Sequence, residues 1–127
     1  MPFELTNHGD YALTCFYGVL TVRDLQRLAV EAAIVDDSGP VAVNRITDLT
    51  GVTSFAIDYA AMSHLTVQRR AKRLRNAVKS ALIARRDVEI GFARMFQTLN
   101  DNPQIEIRIV KDLAEALAWF AEGSAAA

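Results

Sequence analysis

Residues 41–74 read VAVNRITDLTGVTSFAIDYAAMSHLTVQRRAKRL and predict three consecutive elements. The apolar, β-branched run from Val41 to Leu49 is typical of a strand, and Thr50 to Thr53 supply a polar, glycine-containing loop. From Ser54 to Leu74 the apolar residues recur at helical spacing, with Ser54 or Thr53 as the N-cap. A strand that leads directly into a long helix is the building unit of an α/β domain.

The same alternation extends to both ends of the chain. The further predicted elements are, in chain order, strands at 3–7 and 11–18, a helix that Thr21 caps and that ends at about Asp36, a strand at 77–84, a helix that Asp87 caps, a strand at 105–109, and a helix that Asp112 and Glu115 begin as a capping box. The predicted order is therefore ββαβαβαβα. Strands separated by helices favour a mixed, mainly parallel five-stranded sheet with about four helices.

Length and composition restrict the class of protein. A chain of 127 residues fits one domain, which we place at residues 1–122, followed by a disordered tail at 123–127. The net charge of −1 gives no reason to expect nucleic acid as a partner. No signal peptide and no transmembrane segment are visible, so we expect a cytoplasmic protein. The single cysteine, Cys15, lies in an apolar stretch that favours a buried, inert thiol.

Catalytic and metal chemistry find little support in the sequence. His8 and His64 are the two histidines, and neither has a cysteine or second histidine at ligand spacing, so we expect no metal and no cofactor. Ser54, Asp58 and His64 could suggest a triad. On the predicted helix, however, Asp58 projects roughly 120° away from His64, which belongs to the core stripe. We therefore expect no enzymatic activity.

The predicted central helix is apolar on a second side, opposite its core stripe. That second side, which we expect to be a partner or ligand surface, comprises Phe55, Tyr59, Met62 and Leu65 in line with Arg69 and Arg73. A surface helix should carry polar residues there. The C-terminal end of this predicted helix is basic. Cations at that end also stabilise a helix through its dipole.

Three explanations of this second apolar side remain open. The neighbouring helix, through Phe92, Met95 and Phe96, could cover it. A protein partner or a second copy of the chain, forming a homodimer, could bind to it. A small apolar cavity between the two helices, lined by the same three residues, could instead hold a ligand.

Three segments of the chain resemble a known family. The stretch from Arg45 to Thr53 (RITDLTGVT) is similar to the DLS-x-V-T segment of STAS domains, found in sulphate transporters and anti-sigma-factor antagonists. The segments 91–96 (GFARMF) and 109–120 (IVKDLAEALAWF) more specifically resemble the bacterial SpoIIAA-like group, which is related in shape to CRAL-TRIO lipid-transfer domains. The resemblance implies a mixed, mainly parallel sheet with packed helices, and a function in binding.

The best-known members of that family switch partners when a kinase phosphorylates a serine at the start of the central helix. The matching stretch here, Ala56 to Tyr59, has no serine, so the predicted phosphorylation sites are the neighbouring Thr53 and Ser54. The leading hypothesis is a non-enzymatic protein-interaction or regulatory module. The alternatives are a carrier of a small apolar or lipid-like ligand and a phosphoregulated anti-sigma-factor antagonist.

Overall fold

The computed structural model describes residues 3–37, 39, 41–58, 60, 62–63, 74, 76–100 and 102–125. Within these ranges the chain forms seven strands and three helices. In chain order they are β1 (Phe3–Asn7), β2 (Tyr11–Phe16), β3 (Gly18–Thr21), α1 (Val22–Asp37), β4 (Asn44–Asp48), β5 (Val52–Ala56), β6 (Val78–Ile83), α2 (Asp87–Leu99), β7 (Ile105–Val110) and α3 (Leu113–Ala125).

Five strands form the main sheet, in the order β1-β2-β4-β6-β7. β1 and β2 are an antiparallel hairpin, and every other pair is parallel. Gly9 permits the hairpin turn through its positive φ of 91°, and its N–H donates to Asn7 Oδ1 at 3.0 Å. The predicted mixed, mainly parallel five-stranded sheet is confirmed.

A second, two-stranded sheet corrects the sequence prediction. β3 pairs in parallel with β5, so residues 52–56 form a strand where we expected a loop followed by a helix from Ser54. The tight approach of Gly51 to Phe16 favours this pairing, because a Cβ at Gly51 would lie 2.6 Å from the Phe16 carbonyl oxygen. The Gly18 N–H donates to the Gly51 carbonyl oxygen at 3.1 Å and starts the ladder.

The predicted order ββαβαβαβα is therefore wrong, because it lacks two strands of the structure, β3 and β5. Helical residues follow at Ala60, Met62 and Ser63, and the Met62 N–H donates to the Asp58 carbonyl oxygen at 3.1 Å. Most of the other residues of the central helix, which was predicted from Ser54 to Leu74, lie outside the described residues. Val52, Thr53 and Phe55 have high strand propensity, which agrees with the observed strand.

The caps of α1 and α3 follow the sequence prediction. Thr21 Oγ1 accepts from the Asp24 N–H at 3.3 Å, and the Asp24 carboxylate accepts from the Thr21 N–H at 2.9 Å. Asp112 Oδ1 likewise accepts from the Glu115 N–H at 2.8 Å at the start of α3. α3 continues to Ala125, three residues past the predicted end of the domain at residue 122.

The helices cover the main sheet on two sides. On one side α3 packs on alternate strand residues and forms a closed cluster, whose buried members are Ile46, Ala81, Ile83, Val110, Ala116 and Trp119. On the other side lie α1 and α2, with the larger core that includes Phe16, Leu49, Met62 and Phe92. Because successive strand residues point to opposite faces, Arg45 and Thr47 of β4 point away from α3.

Candidate functional site

A cavity of about 220 Å³ lies between α1 and the main sheet, with α2 at its side. Most of its described lining is apolar. α1 contributes Leu25, Leu28, Ala29, Ala32, Ala33 and Val35 to the lining. The strands add side chains such as Leu5, Phe16 and Leu82, and α2 adds Phe92 and Phe96.

The cavity exists because the inward side of α1 is small. Ala29, Ala32 and Ala33 all line the cavity, Ala29 being exposed and the other two half-buried. Among the described side chains of α1, Asp24 in the first turn is the one that is buried, whereas Leu25 and Leu28 are half-buried. Protein interiors are normally close-packed, so a helix that leaves this much space beneath it is a candidate binding element.

Three adjacent strands in the middle of the sheet contribute polar side chains to the cavity lining, and we call this part of the lining the floor. Thr14 of β2, Arg45 and Thr47 of β4, and Ser80 of β6 all belong to it. Thr14 pairs with Thr47, and Arg45 pairs with Ser80, so the four side chains lie together on three adjacent strands. Thr14 and Ser80 are each only 4% exposed. Apolar walls with a few convergent polar groups are typical of a small-molecule site.

A buried carboxylate stabilises the N-terminal end of α2, the helix that forms one wall of the cavity. Glu89 is 1% exposed, accepts from the Arg85 N–H at 2.9 Å and forms an ion pair with the Arg86 guanidinium. Arg86 Nη2 also donates to the Val52 carbonyl oxygen at 2.5 Å, which ties the start of β5 to the start of α2. Phe55 of β5 then stacks on Phe92, with ring centroids 4.6 Å apart.

The protonation state of Glu89 follows from these contacts. Burial alone would raise the pKa of its carboxyl. The hydrogen bonds from the Arg85 N–H and from Arg86 outweigh burial and hold the pKa below its ordinary value of 4.5. Glu89 is therefore an anion at neutral pH, fixed at the positive end of α2.

Sequence reasoning did not single out Glu89, although a signal was present. A glutamate at the third position of a helix is the second half of a capping box, and Glu115 was identified on this basis in α3. Here the backbone N–H groups of Arg85 and Arg86 are the donors to its carboxylate. Asp87, which we expected to be the N-cap, is instead the first residue of the helix, and Arg86 is the N-cap.

The predicted partner or ligand surface does not form on one helix as expected. Phe55 is half-buried on β5 and covered by Phe92, and Met62 is 0% exposed within the core. These two residues therefore do not share an exposed helical side. The other four predicted residues, Tyr59, Leu65, Arg69 and Arg73, lie outside the described residues, as does His64 of the rejected triad.

The remaining predicted residues have varied positions. Phe92 and Phe96 line the cavity, whereas Met95 is partly buried against the core and is not among the described lining residues. Thr53 and Ser54 are exposed on β5, and their phosphorylation stays a prediction. The polar floor residues were not predicted, because which side of a strand faces a cavity depends on the neighbouring helices.

The lone cysteine is not part of the cavity lining that the structure describes. Cys15 is half-buried on β2. Burial first, and then the nearby Asp48 carboxylate, raise the pKa of its thiol above 9.0, which favours the less reactive protonated form. Over the described ranges, no cluster of three or more potential metal ligands occurs. No helix in the described part of the chain is long and apolar enough to cross a membrane.

The fold of this chain is similar to that of a solved crystal structure. It is the crystal structure of an uncharacterised protein of the DUF3478 family, with a SpoIIAA-like fold, from Shewanella loihica PV-4. It superposes with a TM-score of 0.58 and covers 92% of this chain and 90% of that chain. This chain has a SpoIIAA-like fold.

The resemblance predicted from residues 45–53, 91–96 and 109–120 is thus confirmed at the level of the SpoIIAA-like fold. The sequence identity between the two proteins is 18%, so the comparison speaks for the fold alone. No family model matches the chain, and no curated protein matches it.

Proposed function

We propose that this protein is a non-enzymatic binding module that holds a small, largely apolar ligand in the cavity beneath α1. The observation that carries the proposal is the cavity itself, with its alanine-rich helical wall and the aromatic rings of Phe92 and Phe96. Empty space against apolar side chains loses dispersion contacts, and an apolar ligand of matching shape restores them.

The volume limits the size of the ligand. An engineered apolar cavity of about 150 Å³ in another protein accepts benzene, whereas sites for drug-sized molecules usually span about 300–1,000 Å³. The cavity here, at about 220 Å³, lies between these classes. A ligand of about ten non-hydrogen atoms, such as a medium-length alkyl chain or one substituted ring, fits this range.

The chemistry of the lining favours binding over catalysis. Among the described lining residues there is no histidine, cysteine or carboxylate that could serve as a general base or nucleophile. The hydroxyls of Thr14, Thr47 and Ser80 instead provide hydrogen bonds that orient a bound molecule. These features support a carrier or a ligand sensor in preference to an enzyme.

A series of straight-chain 1-alkanols from butanol to tetradecanol tests the proposal. Isothermal titration calorimetry should show affinity rising with chain length and reaching a maximum near octanol or decanol, where the cavity is full. An affinity that continues to rise through tetradecanol would instead indicate non-specific association with the surface. Native mass spectrometry should show one alkanol per chain.

Two matched substitutions locate the binding site. Ala32→Leu places a larger side chain in the cavity lining and should reduce octanol affinity by about tenfold or more. Ala118→Leu makes the same change on the exposed side of α3 and should leave the affinity unchanged. The proposal fails if the wild-type protein binds no alkanol, or if Ala32→Leu binds octanol as tightly as the wild-type protein does.

A further inference from the structure

We infer that the ligand of this cavity carries an uncharged oxygen group, a hydroxyl or a carbonyl, that forms hydrogen bonds to the side chains of Thr14 and Thr47. The inference rests on the proposed function, because it specifies the polar end of the ligand in the same cavity. The observation behind it is a buried hydroxyl without a hydrogen-bond partner, at a point where the neighbouring strand brings a second hydroxyl beside it.

The side chain of Thr14 is buried and has an unused hydroxyl. Thr14 is 4% exposed and lines the cavity. Within the described part of the chain, its hydroxyl has no hydrogen-bond partner, and no side-chain polar atom there is both unpaired and fully enclosed. The Thr14 oxygen therefore reaches the open space of the cavity. A buried hydroxyl normally has a partner, because it has lost its hydrogen bonds to water, so an occupant of the cavity has to supply one here.

Thr47 of β4 brings a second hydroxyl to the same place. The two threonines are register partners in the parallel pair of β2 and β4, and both line the cavity. Among the residues that the structure describes, the Thr47 hydroxyl likewise has no hydrogen-bond partner. Adjacent strands lie about 4.8 Å apart, and a hydrogen bond between two oxygens is about 2.8 Å long. One ligand oxygen between the two side chains can therefore bond to both hydroxyls.

Ser80 of β6 supplies a third hydroxyl to the floor, at a greater distance. It is 4% exposed, and its register partner on β4 is Arg45, two residues before Thr47. With a strand spacing of about 4.8 Å and a rise of about 3.3 Å per residue, the Cα atoms of Ser80 and Thr47 lie about 8 Å apart. One oxygen atom does not contact both, so we assign the head group to the Thr14–Thr47 pair.

The partners of the head group favour an uncharged ligand. Threonine hydroxyls carry no charge, and each of them both donates and accepts hydrogen bonds. An ion that leaves water for a largely apolar cavity needs an opposite charge to compensate. Arg45, the one charged side chain in the described lining, is half-buried and already has an interaction within the protein. The site therefore favours an alcohol or a ketone over a carboxylate or an amine.

The apolar walls define the rest of the ligand. Leu25 and Leu28 of α1 and Phe92 and Phe96 of α2 line the same space as the two threonines. A molecule with its oxygen on the sheet would therefore extend its hydrocarbon part towards these two helices. A simple phenol, a medium-length alkanol or a small ketone has this division of polarity.

The probes p-cresol and p-xylene test the inference, because they have nearly the same shape and differ by a hydroxyl in place of a methyl group. Calorimetric titration should compare the wild-type protein with Thr14→Val, since valine keeps the size of threonine and lacks its hydroxyl. The substitution should weaken p-cresol binding by about fivefold or more, as expected for the loss of a hydrogen bond. The affinity for p-xylene should stay unchanged or increase. Thr47→Val should act in the same direction.

The thermal stability of the ligand-free variants gives a second readout. Because the Thr14 hydroxyl has no partner in the free protein, Thr14→Val should keep or raise the melting temperature. Thr50→Val is the matched control, since the Thr50 hydroxyl donates to Asp48 Oδ1 at 2.6 Å and Thr50 is not among the described lining residues. This variant should lower the melting temperature and leave both affinities unchanged.

Three results would overturn the inference. The first is a ratio of p-cresol to p-xylene affinity that Thr14→Val leaves unchanged. The second is a change in this ratio with Ser80→Ala but with neither threonine variant, which would place the head group elsewhere on the floor. The third is a lower melting temperature of Thr14→Val, which would show that its hydroxyl has a partner in the free protein. Binding of p-xylene in any of these cases leaves the proposed function intact, whereas binding of neither probe removes both.

A measurement on the wild-type protein keeps the inference testable if the threonine variants do not fold. Infrared spectroscopy of bound acetophenone, labelled with ¹³C at its carbonyl, should show the carbonyl stretch at a lower frequency than in an alkane solvent. Donation of a hydrogen bond to the carbonyl oxygen weakens the C=O bond and lowers this frequency. A frequency equal to that in the alkane would show that no hydroxyl donates to the head group and would overturn the inference.

Discussion

The two sides of the main sheet are packed in different ways. On the α3 side, Ile46, Ala81 and Ala116 are 0% exposed and Trp119 is 3% exposed. On the α1 side, the inward leucines of the helix are half-buried, and a cavity of about 220 Å³ separates the helix from the strands. The same β4 strand serves both sides, with Ile46 in the closed cluster and Arg45 and Thr47 at the cavity.

The difference indicates a division of roles between the two sides. Close packing on the α3 side maximises dispersion contacts and burial, so we expect it to supply a large share of the stability. The α1 side is less closely packed, because it contains the cavity and its polar lining residues. Substitutions on the two sides should therefore have different effects on the free energy of unfolding.

The largest effect is expected for Trp119→Ala. This substitution removes a large side chain from the closed cluster and should lower the free energy of unfolding by about 3–5 kcal/mol. Because Trp119 is the single tryptophan of the chain, urea denaturation should be followed by circular dichroism. Leu28→Ala on the half-buried side of α1 is the comparison and should cost about 1 kcal/mol. Equal losses for the two variants would contradict the division between the sides.

Glu89→Gln should have the next largest effect at neutral pH. The amide weakens the charge-assisted hydrogen bonds from Arg85 and Arg86 at a buried position, at a cost of about 1.5–3 kcal/mol. Glu115→Gln changes the same capping position in α3, where the carboxylate is exposed, and should cost less than about 1 kcal/mol. A reversed order of the two losses in urea denaturation at pH 7 would contradict this assignment.

The effect of Glu89 should also depend on pH. The folded state lowers the pKa of this carboxyl below 4.5, so its contribution is fully present above the unfolded-state pKa and is lost as the pH falls through the folded-state pKa. The stability difference between the wild-type protein and Glu89→Gln should therefore be constant from pH 7 to about 5 and shrink below about pH 4. A difference that grows on acidification would show that the folded-state pKa is raised.

Alanine-to-leucine substitutions on the two sides of the sheet should change the free energy of unfolding differently. Ala116→Leu inserts volume into the closed cluster and should lower the free energy of unfolding by about 1–3 kcal/mol. Ala32→Leu adds the same volume beside the cavity and should leave stability unchanged or raise it by up to about 1 kcal/mol. Thermal denaturation compares the two variants directly. A destabilised Ala32→Leu would mean that the space beneath α1 is smaller than the structure shows.

The smallest effect is expected for Arg108→Gln. The guanidinium of Arg108 lies 4.8 Å from the centroid of the Trp119 ring and is partly exposed. Loss of this cation–π contact should cost about 0.5–1 kcal/mol. Arg94→Gln, on the exposed side of α2, should change stability by less than about 0.5 kcal/mol. Indistinguishable melting curves for the two variants would show that the contact of Arg108 with the Trp119 ring does not contribute to stability.

The sequence was sufficient for the features that depend on neighbouring residues. The alternation from Ile105 to Ile109 predicts a half-exposed strand. Thr21 as a cap and the Asp112–Glu115 pair predict helix starts, because these signals span only a few residues. The family resemblance extended this local information to a SpoIIAA-like fold. All of these features are present in the structure.

Residues 52–56 show where local pattern was insufficient. Their sequence, VTSFA, fits a strand as well as the start of a helix, and the pairing of β5 with β3 resolves the ambiguity. Because that pairing joins residues more than thirty positions apart, a window of neighbouring residues does not contain it. The predicted two-sided apolar helix depended on this choice. Phe55 therefore stacks on Phe92 from β5 and does not share a helical side with Met62.

The cavity depends on tertiary structure alone. A stripe of Leu25, Leu28, Ala29 and Ala32 predicts an amphipathic helix that packs on a sheet, but not the distance at which it packs. That distance follows from the elements around α1, and it leaves a cavity that Thr14 and Thr47 line together with the apolar residues of α1. Periodicity thus predicts which side of an element turns inward, whereas only the assembled fold determines whether the side chains there meet a neighbour or a binding site.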